Sequence, residues 1–146
     1  MRSVVQRVAW AKVAIDGVVA GEIAKGLLVY LGVGKEDTAE DSTWMLDKVL
    51  GLRIFANDAG KMDKSVRDVG GSLLVVSQFT LYADTSRGRR PGFDGAMAPA
   101  QANEAYESFL RAAAAVVPTS AGRFGADMQV TSENDGPVTL WLDSKT

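Results

Sequence analysis

Apolar and polar positions change rhythm several times along this chain, and each change marks an element. Residues 2–15, "RSVVQRVAWAKVAI", carry many β-branched side chains and run into Asp16-Gly17. Val18–Ile23 follows, which predicts a β-hairpin with an Asp-Gly turn. Gly26–Val33, "GLLVYLGV", is apolar at odd and even positions alike and reads as a third strand with two covered faces. The rhythm changes at Thr38. Acids and small polar residues open a helical segment to about Phe55, with Trp44, Leu46, Val49 and Leu50 as a partial stripe. "ANDAGKMDKSVRDVGG" is a polar connection, and Leu73–Leu81 is the next strand. A basic, turn-rich loop spans Tyr82–Gly95. A second helix runs from about Pro99 to Val117, with Ala102, Ala105, Phe109 and Ala113 on one face and Pro118 stopping it. The last portion, "RFGADMQVTSENDGPVTLWLD", reads as two strands around a turn near Asn134–Pro137.

Strands outnumber helices and the order is mixed. This predicts an α+β fold: a mostly antiparallel curved sheet or partial β-barrel with two main helices. Residues 1–146 read as one domain, with no linker, repeat or low-complexity tract.

Composition narrows the chemistry. The formal net charge is −2, so no global attraction to nucleic acid is expected and any such contact needs a local patch. Cysteine and histidine are both absent. That excludes disulfides, thiolate or imidazole metal ligands, and Ser-His-Asp or Cys-His catalysis. No 18-residue apolar span exists, and "MRSVVQRVAW" lacks the apolar stretch of a signal peptide, so a cytoplasmic protein is the default.

Three stretches carry candidate chemistry. In "SQFTLYAD", residues 77–84, two hydroxyls and an amide close an apolar strand. Alternation puts Ser77 with Leu73 and Val75 on one face, and Gln78 and Thr80 on the other. Ser77 and Thr80 share a pocket only if the strand bends, and a bend would also free backbone N–H groups to stabilise an oxyanion. The alternative is a strand end whose hydroxyls bond to nearby backbone. In "NDGPVT", residues 134–139, Asn-Asp-Gly marks a tight turn, and the proline after glycine permits either a trans or a cis peptide. Arg7 falls on the more apolar face of its strand unless a bulge shifts the register. There it is either held by carbonyl acceptors or is a snorkelling or interface arginine. Arg87, Arg89 and Arg90 beside Phe93 add a basic loop of a kind that contacts phosphate and stacks on bases. No spacing among the carboxylates picks out a catalytic pair or a metal site.

"SQFTL" at Ser77–Leu81 and "NDGPVT" at Asn134–Thr139, set within "MRSVVQRVAWAKVAIDGVVAGEIAKGLLVYLGVGKED", "RGRRPGF" and "GRFGADMQVTSENDGPVTLWLDS", resemble the D-aminoacyl-tRNA deacylase family of bacteria and eukaryotes over essentially the whole chain. The resemblance implies a homodimer that hydrolyses the ester joining a D-amino acid, or mischarged glycine, to tRNA. It implies no cofactor, metal, membrane or DNA. By resemblance Gly136-Pro137 is a cis dipeptide lent to the partner's pocket, where its carbonyls exclude L-residues, and Arg7 holds it. Asn134 and Thr139 complete that substrate-binding motif. Phe124 and Met128 match the pocket for the terminal adenine. Ser77, Gln78 and Phe79 face the ester, and Thr80 matches a residue once favoured as nucleophile. The family mechanism uses the terminal ribose 2′-hydroxyl with water; a Thr80 acyl-enzyme is the alternative. The chain departs from the family pattern at Gly92, Ser132 and Glu133, which bear on loop docking and strand burial.

Overall fold

The computed structural model describes residues 1–146. Strand β1 (Arg2–Ile15) turns at Asp16 and Gly17, both with positive φ, into β2 (Val18–Ile23). This is the predicted Asp-Gly hairpin, whose turn matches the twist of the strands. β3 (Gly26–Gly32) follows, then helix α1 (Ala39–Gly51), a small β4 (Phe55–Ala56) and β5 (Met62–Lys64) ribbon, and β6 (Ser72–Ser77). A 3-10 turn (Phe79–Tyr82), helix α2 (Pro99–Ala114), β7 (Thr119–Ala121) and β8 (Gln129–Asp143) complete the chain.

β1 organises the sheet. Its first half pairs with β3, its second half with β2, and β8 runs antiparallel along its other side. The sheet is mostly antiparallel, as β1 pairs with β2, β3 and β8, but it is mixed, because β3–β6 and β6–β7 are parallel. Parallel neighbours need long crossovers, and the segments containing α1 and α2 supply them. Leu27, Leu28, Val29 and Leu73 to Val76 are accordingly buried whichever way they point. One core cluster packs β1, β3 and β6 residues against Met45, Tyr106 and Phe109 of the helices. The other lies on the opposite face around Val8, Val13, Leu28 and Leu74. The sheet nearly closes into a barrel, since β2 and β7 approach where Ser120 Oγ donates to the Glu22 carbonyl at 3.3 Å. Gly21 permits this seam: a Cβ there would stand 2.7 Å from the Ala121 carbonyl oxygen.

Four element boundaries differ from the sequence expectation; one is the end of helix α2, at Ala114 rather than about Val117. Helix α1 stops at Gly51, not near Phe55, because the chain extends at Leu52 to bury Ile54 and Phe55. β6 stops at Ser77, not Leu81, and coils into the 3-10 turn. The last portion is one long strand rather than two around a reversal. β8 keeps its direction through residues 134–137 and bulges instead. No helix is long and apolar enough to cross a membrane.

The start of α1 is tied to both chain ends. Asp41 accepts from the Thr38 N–H at 2.8 Å, from Ser144 Oγ at 2.7 Å and from Lys145 Nζ at 3.0 Å. The Met1 ammonium lies 2.6 Å from Asp37 Oδ1. Burial alone would raise the pKa of Asp41, but these donors outweigh it and hold the carboxyl well below the usual range. Because the folded-state value is depressed, its stabilisation is complete above an unfolded pKa of about 4 and is lost as pH falls through the folded value. Urea midpoints should therefore drop from about pH 4 downward. Asp41→Asn should be less stable at pH 7 and should show a shallower acid slope. An identical slope in the variant would remove Asp41 as the cause.

Candidate active site

The chain bends sharply where β6 ends. Gly32 and Gly34 of the adjoining segment make room for the 3-10 turn. A Cβ on Gly32 would meet the Gln78 carbonyl at 2.9 Å, and one on Gly34 would meet the Tyr82 ring at 2.7 Å. Arg2 then clamps the turn, donating to the Leu81 carbonyl at 3.0 Å while lying 4.5 Å over the Tyr82 ring and 3.3 Å from Asp143. Burial, with Asp37 beside it, pushes the Tyr82 hydroxyl far above its ordinary pKa, so it stays protonated. The Gln78 N–H donates to Leu31 at 2.8 Å and the first bond of the turn is Leu81 N–H to the Gln78 carbonyl. A 3-10 turn leaves its first N–H groups without acceptors inside the turn. Here those groups belong to Phe79 and Thr80.

The bend opens a cavity of about 560 Å³, of a size that takes a nucleoside-sized ligand. Ser77, Gln78 and Phe79 line one side, and Phe124 and Met128 another. Phe93 and Met97 contribute from the loop before α2. The buried Tyr106 hydroxyl donates to the Val75 carbonyl at 2.9 Å, and its ring lies 6.1 Å from that of Phe124. Gly122 leaves the space that the Met128 sulfur fills, since a Cβ there would be 2.5 Å from it. Thr80 does not line the cavity. Its Oγ1 accepts from the Gln78 side-chain amide, which cannot take up a proton.

Arg7 and the "NDGPVT" motif form a second locality. β1 residue Gln6 pairs with Thr139 and Val8 with Asn134, so residues 135–138 stand opposite Arg7 alone. This is the bulge that shifts the register of β1 and turns Arg7 off the apolar row, leaving its side chain 15% exposed. Asn134 replaces the missing ladder bonds: its Nδ2 donates to the Arg7 carbonyl at 3.0 Å and to the Val138 carbonyl at 3.2 Å. Thr139 Oγ1 donates to Asn134 Oδ1, and Gln6 Nε2 donates to Thr139 Oγ1, each at 3.2 Å. The Arg7 guanidinium donates to the Ile54 carbonyl at 2.6 Å and to the Asp135 carbonyl at 3.3 Å, with the Asp135 carboxylate 3.4 Å away. The Gly136-Pro137 peptide is cis, and both residues are exposed. A Cβ on Gly136 would lie 3.0 Å from the Arg7 guanidinium.

The predicted site residues thus fall into two groups within one chain. Ser77, Gln78, Phe79, Phe124 and Met128 share the cavity, whereas Arg7, Asn134, Gly136, Pro137 and Thr139 sit on the bulge and do not line it. Arg2, Gln6, Tyr82 and the Ile54 carbonyl were not singled out from sequence. The spacing of Gly32 and Gly34 is the one signal that a backbone or ring must approach there. No group of three or more acidic side chains is placed to hold a metal ion. Gly92, a departure from the family pattern, pairs through both backbone groups with Asp84, and nothing lies within 4 Å of where its Cβ would be. Ser132 faces Ala11, and Glu133 is exposed and accepts from Trp10 Nε1.

The fold and cavity define a small α+β domain with an apolar cleft edged by backbone donors and no neighbouring side-chain base. The family described as D-Tyr-tRNA(Tyr) deacylase matches residues 4–143. A solved structure described as c-Myc DNA unwinding element binding protein is 41% identical, covers 98% of each chain and superposes with a TM-score of 0.93. A probable eukaryotic D-amino acid tRNA deacylase, 18% identical over 97% of each chain with a TM-score of 0.79, shares the fold. The chain belongs to the D-aminoacyl-tRNA deacylase family, and is a hydrolase acting on D-aminoacyl-tRNA.

Arg7→Ala strips donors from two carbonyls and should lower stability by about 1–3 kcal/mol in urea unfolding. Arg7→Lys should recover only part of that loss, because one ammonium cannot fork between separated acceptors. Gly92→Ser should leave the unfolding midpoint within about 0.5 kcal/mol of the parent.

Proposed function

We propose that this chain hydrolyses the ester between a D-amino acid and the terminal adenosine of tRNA, in a site completed by a second copy. The carrying observation is the separation of its two motifs. The cavity beside Ser77, Gln78 and Phe79 contains no residue of 134–139, yet the Gly136-Pro137 excursion is exposed and firmly braced. A homodimer brings one chain's excursion to its partner's cavity. Phe124 and Met128 hold the adenine, and the ester lies beside the Phe79 N–H at the edge of the cavity. The Gly136 and Pro137 carbonyls stand against the α-carbon. A D-residue directs its side chain to open space, an L-residue meets those carbonyls, and glycine passes the same filter. Editing of this kind is needed where binding differences alone discriminate too little.

Hydrolysis adds water to the ester carbonyl and breaks the bond to the ribose 3′ oxygen, which leaves protonated, giving tRNA and the free amino acid. The backbone donors stabilise the oxyanion, an effect worth about 10²–10³ in rate per donor in other hydrolases. The adjacent ribose 2′-hydroxyl relays the proton, so no protein base is required. Thr80 accepts a hydrogen bond from an amide rather than donating to a base, which disfavours it as a nucleophile.

Matched D- and L-aminoacyl-tRNA should be cleaved with a preference for the D-ester of at least about 10³, as expected when an entire side chain is rejected. Thr80→Ala should keep kcat within about tenfold, since it removes no base or donor N–H. A 3′-aminoacylated substrate ending in 2′-deoxyadenosine should be slow. Equal rates on the deoxy substrate would remove the RNA-assisted step, and equal cleavage of L-esters would overturn the chirality filter.

A further inference from the structure

Outside the cavity, the most pronounced charge feature is a set of arginines without partners. The loop after the 3-10 turn is pinched shut by reciprocal backbone bonds between Asp84 and Gly92, at 2.7 and 2.9 Å. Within it, Arg87, Arg89 and Arg90 are all exposed, and none forms an ion pair. No acid lies between Asp84 and Asp94, and the Asp84 carboxylate is occupied by the Ser86 N–H at 2.9 Å. The loop is docked at the cavity mouth, because Phe93 lines the cavity and packs edge-on against Phe79 with centroids 4.9 Å apart. Arg123, also exposed and without an ion pair, directly precedes Phe124 on another part of the same lining. Asp94 and Asp127 are the nearby acids in sequence, and neither pairs with these arginines. A chain of net charge −2 therefore carries free guanidinium groups on the loop that delivers Phe93 to the cavity and next to Phe124 of the same lining.

Guanidinium forks match phosphate oxygens, and an aromatic platform beside them accepts an unpaired base. We propose that Arg87, Arg89 and Arg90, with Arg123 beside Phe124, clamp the backbone phosphates of the single-stranded nucleotides that precede the terminal adenosine. The exposed Phe79, packed edge-on against the half-buried Phe93, offers the stacking surface between clamp and cavity. The clamp threads the strand end toward the cavity and supplies affinity without reading sequence. For the identity of its ligand this inference rests on the proposed ester hydrolysis; the clamp itself is tested without that reaction.

The probe is a labelled single-stranded RNA oligonucleotide ending in CCA, titrated against the dimer over a range of salt concentrations. Each lost phosphate contact should lower the slope of log affinity against log salt by about 0.7 for a single strand. Arg89→Ala/Arg90→Ala should thus reduce the slope by about 1.4 and weaken binding at least about tenfold at moderate salt. Arg89→Lys/Arg90→Lys should restore most of the slope, since slope counts charge rather than fork geometry. In turnover the alanine pair should raise KM for D-aminoacyl-tRNA with kcat held, and D-aminoacyl-adenosine, which has no phosphate, should show no such change. An unaltered slope overturns the clamp, as does an equal loss on D-aminoacyl-adenosine. Equal affinity for a DNA duplex of the same length overturns its assignment to a single-stranded end. If the parent protein binds the oligonucleotide through these arginines but cleaves no ester, the clamp stands and the proposed reaction falls.

Discussion

The Arg7 guanidinium is the tie on which the rest depends. It reaches from β1 to the Ile54 carbonyl behind α1 and to the Asp135 carbonyl on β8. Those contacts join three stretches far apart in sequence and fix the one place where β8 leaves the ladder. A charged group this enclosed would be costly without acceptors, so its demand for carbonyls specifies the shape of the bulge. Asn134 completes the specification from the other side by spanning the Arg7 and Val138 carbonyls. The excursion is exposed yet held at both ends, which lets a flexible backbone act as a fixed surface.

The same economy of parts governs the bend after β6. Nothing in the chain can serve as an imidazole base, and the Thr80 hydroxyl is engaged by an amide. What the bend provides is backbone. The N–H groups released at Phe79 and Thr80 lie in a turn whose position is set by Gly32, Gly34, Tyr82 and Arg2. Backbone dipoles held this way need no reorganisation as charge develops, and they act most strongly in an apolar cleft. Such a device suits a substrate that is already activated, which an aminoacyl ester is.

Much of this was legible in the chain. Asp16-Gly17 specified the hairpin, the two-faced apolar runs specified buried strands, and Pro99 opened the second helix, which ends at Ala114 ahead of Pro118. The polar end of the β6 run carried its own signal, since Ser77 and Thr80 could not both face inward on a straight strand; the chain does bend there, yet only Ser77 reaches the cavity. What stayed hidden depended on distant partners. The parallel pairing of β3 with β6 has no local signature, because a run apolar on both faces fits either direction. The end of α1 was overrun because Ile54 and Phe55 continue an apolar pattern that is buried by a strand rather than a helix. The Asn-Asp-Gly signal was read as a reversal, whereas the Asn134 side chain bonds across the bulge and lets the strand resume. Arg2 was invisible as a clamp because its acceptor lies in a turn that does not exist until the fold forms.

A filter for handedness needs a different kind of rigidity from a filter for size. A pocket built of side chains adapts by rotamer changes, and a difference of one methylene in such a pocket is worth only about 1–3 kcal/mol. A main-chain carbonyl cannot rotate aside without dragging its neighbours. In this chain those neighbours, Asp135 and Val138, are held through their carbonyls by Arg7 and Asn134. Bracing that looks excessive for an exposed bulge is therefore what the proposed role demands. The wall must stay in place while any D side chain, large or small, passes into open space beside it. In the proposed dimer, with the wall on one subunit and the cavity on another, two tasks that conflict within one strand are also separated. The bulge keeps its internal bonds, and the bend after β6 keeps its free N–H groups for the substrate.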